Sequence, residues 1–180
     1  MKLKTVLKDF NLLATTSRGN EKPICYELDY LLKELLGDPT PVVSKTGIRG
    51  LVAAKTALDP CEVIEKFRVI LQERPYEFRY ALRIIPVEKV VPTDLDEVKR
   101  AATELAADMG ENETFRVTVE KRFTSLHSRD FIEAAATSIQ RKVNLENPDK
   151  ILLIEVVAGL TGMALIKPTC VLAVVKEKML

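Results

Sequence analysis

Phe115-Arg116-Val117-Thr118-Val119-Glu120-Lys121-Arg122 and, one short loop later, Ser128-Arg129-Asp130-Phe131-Ile132 decide how the second half of the chain folds. The alternation puts Phe115, Val117 and Val119 on one side of a strand and Arg116, Thr118 and Glu120 on the other. The strand runs into a basic loop. Ser128 then caps a helix that has Asp130 in its first turn and Ile132, Ala135, Ala136 and Ile139 as its buried face. Upstream, Thr93 or Asp94 starts a helix with Leu95, Val98, Ala102, Leu105 and Met109 along its apolar stripe, and Gly110 stops it. Downstream, Ile151 to Val157 has almost no polar interruption and reads as a central strand covered on both sides. Gly159 to Gly162 turns the chain into Met163–Ile166, and Val171–Val175 makes a last strand after Pro168.

The first half carries a different order. Phe10–Thr16 reads as a strand. Leu28, Leu31, Leu32, Leu35 and Leu36 form the stripe of a helix that Gly37 ends. Val42-Val43 and Leu51–Ala54 are two strands joined across Gly47-Ile48-Arg49-Gly50. Asp59 and Pro60 start a second helix, which buries Val63, Ile64, Phe67, Ile70 and Leu71. Phe78–Val87 is again strand-like. This βαββαβ order is that of a ferredoxin-like unit. The expected fold class is therefore α/β (α+β): a ferredoxin-like unit over residues 1–75 and a second unit over residues 76–180, with the boundary between 75 and 92.

Composition excludes several functions. The chain has 180 residues, 47% of them apolar and 29% charged, with a formal net charge of +1. That is a folded protein without a general basic coat, so any nucleic-acid contact must be a local patch. No apolar run approaches a membrane span, and Met1-Lys2-Leu3-Lys4 does not begin a secretion signal, so a cytoplasmic protein is expected. Cys25, Cys61 and Cys170 are too far apart in sequence for a zinc site and are expected to be reduced thiols. No phosphate loop, dinucleotide fingerprint, nucleophile elbow or zincin motif occurs, so neither a metal nor a cofactor is expected. Tryptophan is absent and aromatics make up 6%, so no platform for stacking bases is apparent.

What remains is a basic cluster of Arg116, Lys121, Arg122, His127 and Arg129. A strand exit followed by a helix start turns backbone N–H groups toward an anion, and cationic side chains there can hold a phosphate. The alternative is a solvated loop rich in charges. On the phosphate-site reading, replacing Lys121 and Arg122 together by alanine should weaken nucleic-acid binding and flatten its salt dependence while stability barely changes. His127, the only histidine, is a loop residue, an RNA contact or a general base. Gly47-x-x-Gly50-x-x-x-x-Lys55 recurs as Gly159-x-x-Gly162-x-x-x-x-Lys167. Both copies read as hairpin turns that need glycine. A GxxG loop also clamps RNA in KH domains, but there it joins helices and not strands.

Arg83-Ile84-Ile85-Pro86-Val87-Glu88-Lys89-Val90, Phe115–Arg122 and Ser128–Ile132, taken in order, resemble a THUMP domain. In particular they resemble the stand-alone THUMP proteins that assist the RNA acetyltransferase forming N4-acetylcytidine in tRNA. The resemblance spans residues 75–177. It implies tRNA as partner, an RNA acetyltransferase as the separate enzyme that receives it, and no catalytic residues in the chain itself. It carries RNA contact onto Arg116, Lys121, Arg122, Ser128 and Arg129. His127 joins them from the cluster, and Arg49 and Lys55 from the neighbouring unit. Two other readings stay open: an RNA-modifying enzyme subunit with its own active site around His127, and a protein-interaction module that binds no RNA.

Overall fold

The computed structural model describes residues 7–179, so the reading of Met1–Lys4 lies outside the described residues. In chain order the elements are β1 (Leu12–Thr15), α1 (Glu21–Tyr30), β2 (Val42–Lys45), β3 (Leu51–Lys55), α2 (Pro60–Glu73), β4 (Arg83–Pro86), β5 (Lys89–Pro92), α3 (Leu95–Leu105), β6 (Thr114–Glu120), α4 (Ser128–Ala136), β7 (Lys142–Val143), β8 (Lys150–Val157), β9 (Leu160–Ile166), β10 (Leu172–Ala173) and α5 (Val174–Lys178). They form two compact units. One comprises the chain up to Val87 together with the segment from Cys170 onward, and the other is Glu88–Thr169.

In the first unit the strands lie in the order β10-β4-β1-β3-β2, and every neighbouring pair is antiparallel. The βαββαβ order predicted from sequence is present, with β1 inserted between β3 and β4 as in a split βαβ arrangement. Leu13, for example, pairs with Ala53 on one side and Ile85 on the other. The Asp59 carboxylate accepts the Glu62 N–H at 3.0 Å, and Pro60 occupies the first helical position, where no N–H is needed. α2 then buries the five apolar residues expected of it. Its Phe67 ring meets Phe78 edge-on, with centroids 5.8 Å apart.

Three expectations for this half need correction. Only Arg83–Pro86 of the segment 78–87 is a strand. The Glu27 carboxylate takes the N–H groups of Arg79, Tyr80 and Ala81, which occupies the donors a longer strand would use. The segment 171–175 is not a last strand of the second unit. Leu172 and Ala173 pair with Ile84 and Arg83 in the first sheet, and the chain then turns into α5. Finally, Cys61 and Cys170 are joined in a disulfide and are not reduced thiols. The chain return brings their Cα atoms to 5.6 Å across a sequence separation of 109, a proximity that spacing alone does not reveal.

In the second unit the strand order is β5-β9-β8-β6-β7. β6 runs parallel to β7 and β8, whereas β9 is antiparallel to β8 and β5. β5, β6 and β8 therefore point the same way, and α3 and α4 begin at the edge where β5 and β6 end. Val98, Ala101 and Ala102 of α3 pack with Phe131 and Ala135 of α4 over Phe115, Leu152, Ile154 and Met163. The small residues let the helices lie close to the sheet. The buried face of α4 is centred on Phe131, while Ile132 is exposed. This is a one-residue rotation from the expected face, because the larger phenyl ring gains more from burial.

Candidate functional site

The edge where β5, β6 and β8 end is tied together by backbone and hydroxyl bonds. The Ala158 N–H donates to the Arg122 carbonyl at 2.9 Å. The Thr93 N–H donates to the Gly159 carbonyl at 2.9 Å, and its hydroxyl to the Ala158 carbonyl at 2.8 Å. The loop after β6, the β8–β9 turn and the approach to α3 are thus one connected rim.

The two helix starts on this rim differ in charge. At α3 the Asp94 carboxylate caps the N–H groups of Asp96 and Glu97, and all three of these residues are acidic. At α4 the Asp130 carboxylate accepts the His127 N–H at 2.9 Å, and the Asp130 N–H donates to the His127 carbonyl at 3.0 Å. His127 is therefore the residue at the cap, and Ser128 is the first helical residue, not the cap as expected. The N–H groups of Ser128 and Arg129 have no hydrogen-bond partner among the described residues, and neither has the exposed Arg129 guanidinium. The Lys121 side chain is exposed and, among the described residues, bonds only the Leu126 carbonyl, at 3.3 Å. Between these cations in sequence is Phe123, 80% exposed and at φ 55°. An anion would therefore settle at α4 and not at α3.

The other expected residues do not join this group. Arg122 turns inward, and its guanidinium donates to Glu155 Oε2 at 2.9 Å. The Glu155 side chain is 2% exposed and that of Arg122 18%. Arg122 balances a buried carboxylate, so it is not a solvated charge. Arg116 lies about 13 Å back along β6 from Glu120, at a rise of about 3.3 Å per residue, and its guanidinium donates to the Leu145 carbonyl. Arg49 and Lys55 belong to the first unit and flank β3, which spans about 13 Å from Leu51 to Lys55 by the same rise. Arg49 is exposed in the β2–β3 turn, and Lys55 pairs with Asp9 at 3.3 Å.

That turn needs glycine for a reason of structure. Gly50 has φ 76°, and a Cβ there would meet the Thr16 carbonyl oxygen at 2.8 Å. The Gly50 N–H also donates to the Glu21 carboxylate at 2.9 Å. This hydrogen bond is the main reason that the Glu21 pKa lies below the usual carboxylate value. The later glycine pair is not a second copy of this device. The β8–β9 turn is made by Ala158 and Gly159, Ala158 takes the positive φ, and Gly162 sits within β9 opposite Glu155.

Sequence reasoning missed Phe123 and Glu155. Phe123 had a signal, a lone aromatic inside a basic loop. Glu155 had one too, the single acid in an otherwise apolar strand. Among the described residues no cluster of His, Cys, Asp and Glu could hold a metal ion, and no helix is long and apolar enough to cross a membrane.

Fold and site together define a two-unit α/β protein in which a cationic strand-to-helix loop stands on the rim of the second sheet. Residues 92–165 match the family model of the THUMP domain, so this second unit carries a THUMP domain. No curated protein sequence matches the chain. Solved structures share the fold across both units. PH1313 from Pyrococcus horikoshii is similar with a TM-score of 0.62 and 18% identity, over 88% of this chain and 55% of that one. TrmN from Thermus thermophilus gives 0.58 and 16%, over 89% and 47%. A 4-thiouridine synthetase in complex with RNA and ATP gives 0.53 and 15%, over 88% and 42%. The chain spans about half the length of these structures or less.

Proposed function

We propose that this protein binds tRNA without catalysing a reaction on it, and presents it to a separate modifying enzyme. The sequence resemblance favours an RNA acetyltransferase forming N4-acetylcytidine as that enzyme. The observation that carries the reading is the β6–α4 loop inside the THUMP segment. There exposed Lys121 and Arg129, two unbonded N–H groups at the start of α4 and the exposed phenyl ring of Phe123 all belong to one segment of nine residues, 121–129. Cations and amides hold phosphate oxygens, and the ring offers a face to an unpaired base. That a similar fold occurs in a 4-thiouridine synthetase–RNA complex supports RNA as the ligand class.

Incubating purified protein with tRNA, acetyl-CoA, S-adenosylmethionine and ATP, followed by nucleoside mass spectrometry, tests the non-catalytic part. The expected result is retained tRNA with unchanged nucleosides. An acetylated or methylated nucleoside formed by this chain alone would establish the rival reading of an enzyme.

A further inference from the structure

All four tyrosines of the chain line one groove of about 580 Å³ on the first unit, a volume typical of ligand sites. Tyr26 and Tyr30 lie on α1, Tyr76 in the 3-10 turn that follows α2, and Tyr80 in the bend before β4. Their exposures run from 36% for Tyr80 to 67% for Tyr26. Four large aromatic faces left in water in one place call for a reason, since scattered single ones would not.

The groove is built in advance. Glu27 clamps the 79–81 backbone onto α1 through three N–H groups. The Tyr30 hydroxyl donates to Glu77 at 3.3 Å, tying α1 to the 3-10 turn. Partial burial, with the Glu77 carboxylate beside it, raises the Tyr30 pKa, so the ring stays neutral. Both acids in the groove are thereby engaged, Glu77 also with Arg74. The cations at its margin, Lys22 and Arg79, are exposed and have no side-chain partner among the described residues. Aromatic faces with unengaged cations beside them match the two parts of a single-stranded nucleotide, its base and its phosphate. A proline-rich peptide would use the rings but not the charges.

We infer that the tyrosine groove is a second RNA site, which stacks unpaired nucleotides while Lys22 and Arg79 hold their phosphates. The inference rests on the RNA-binding reading above and extends it to the first unit. Because the chain has no tryptophan and all four of its tyrosines line the groove, its tyrosine emission comes from this groove alone, and a stacked base quenches it.

The test titrates the full chain with a single-stranded oligoribonucleotide, an RNA duplex, whole tRNA and a proline-rich peptide. The expected result is quenching by the single strand and by tRNA, and none by the duplex. Tyr26→Ala with Tyr76→Ala should weaken single-strand binding about tenfold or more, at unchanged melting temperature. Tyr26→Phe with Tyr76→Phe should retain binding. If tRNA binds without quenching and the alanine variant binds it normally, the groove site is wrong while the RNA-binding reading stands. If no RNA binds at all, both fall. Quenching by the peptide alone overturns the inference in favour of a protein partner.

Discussion

Arg122 and Lys121 are neighbours with opposite duties. Lys121 stays in solvent, where a phosphate can reach it, whereas Arg122 faces a carboxylate that is 2% exposed. Taking a charge out of water is costly unless it is paired, and removing one partner leaves the other to bear that cost. Arg122→Ala should therefore destabilise the second unit by about 1–3 kcal/mol, read by urea unfolding. The loss should be smaller in a Glu155→Gln background, where no buried charge remains to be balanced. Equal unfolding midpoints for wild type and Arg122→Ala would mean that the pair contributes nothing. The sequence shows both residues as charged but not that they meet, because 33 positions separate them and only the β6–β8 pairing unites them.

At the scale of the elements, one buried aspartate fastens two connections of the first sheet. Asp38, fully buried, accepts the Thr40 N–H at 3.0 Å, the Thr56 hydroxyl at 2.6 Å and the Ala57 N–H at 3.0 Å. It thus joins the entry to β2 with the exit of β3. Burial alone would raise its pKa, but the bonds from Thr56, Thr40 and Ala57 outweigh that and hold it below the usual carboxylate value. A depressed folded-state pKa contributes stability above the unfolded value, about 4, and that stability is lost as pH falls through the folded value. Asp38→Asn should cost about 1–3 kcal/mol at neutral pH, and the gap to wild type should narrow in acid. A gap of the same size at neutral pH and at about pH 3 would show that the ionised carboxylate is not what matters.

α2, α3 and β6 could be read from the sequence because burial of one face imposes a period on it, and β8 because burial of both faces leaves an unbroken apolar run. Segment 78–82 misled because Phe78 and Ala81 are buried like strand residues, while the N–H groups of Arg79, Tyr80 and Ala81 go to Glu27, a side-chain partner that no period encodes. The four tyrosines went unseen as a group for a similar reason: residues 26, 30, 76 and 80 become neighbours only when α1 and the segment after α2 come together.

Over the whole molecule, the chain leaves the first unit at Val87, builds the second from Glu88 to Thr169 and returns. The return adds β10 to the first sheet, and the Cys61–Cys170 disulfide fixes it there. Closing a loop of that length reduces the freedom of the unfolded chain, by about 4–5 kcal/mol in the chain-entropy account. Arg68 adds an ion pair to Glu177 at 2.6 Å and a bond to the Val171 carbonyl at 3.1 Å, so the last segment is held by side chains as well. Sequence order alone assigned this segment to the second unit, since only its pairing partner tells the two apart.

The proposed tRNA-binding function requires the β6–α4 loop of the THUMP domain to hold RNA phosphates. Its most direct test is tRNA affinity measured across a salt series for wild type and for Lys121→Ala with Arg129→Ala. Replacing these two cations leaves Arg122 and its buried partner untouched, so the melting temperature should not move. Wild type should bind with log K falling linearly against log salt. The variant should bind more weakly, with a slope shallower by about one to two units, close to one for each phosphate that is no longer neutralised. Equal affinity and equal slope for the two proteins, or no tRNA binding by wild type at low salt, would show that this loop is not the phosphate site.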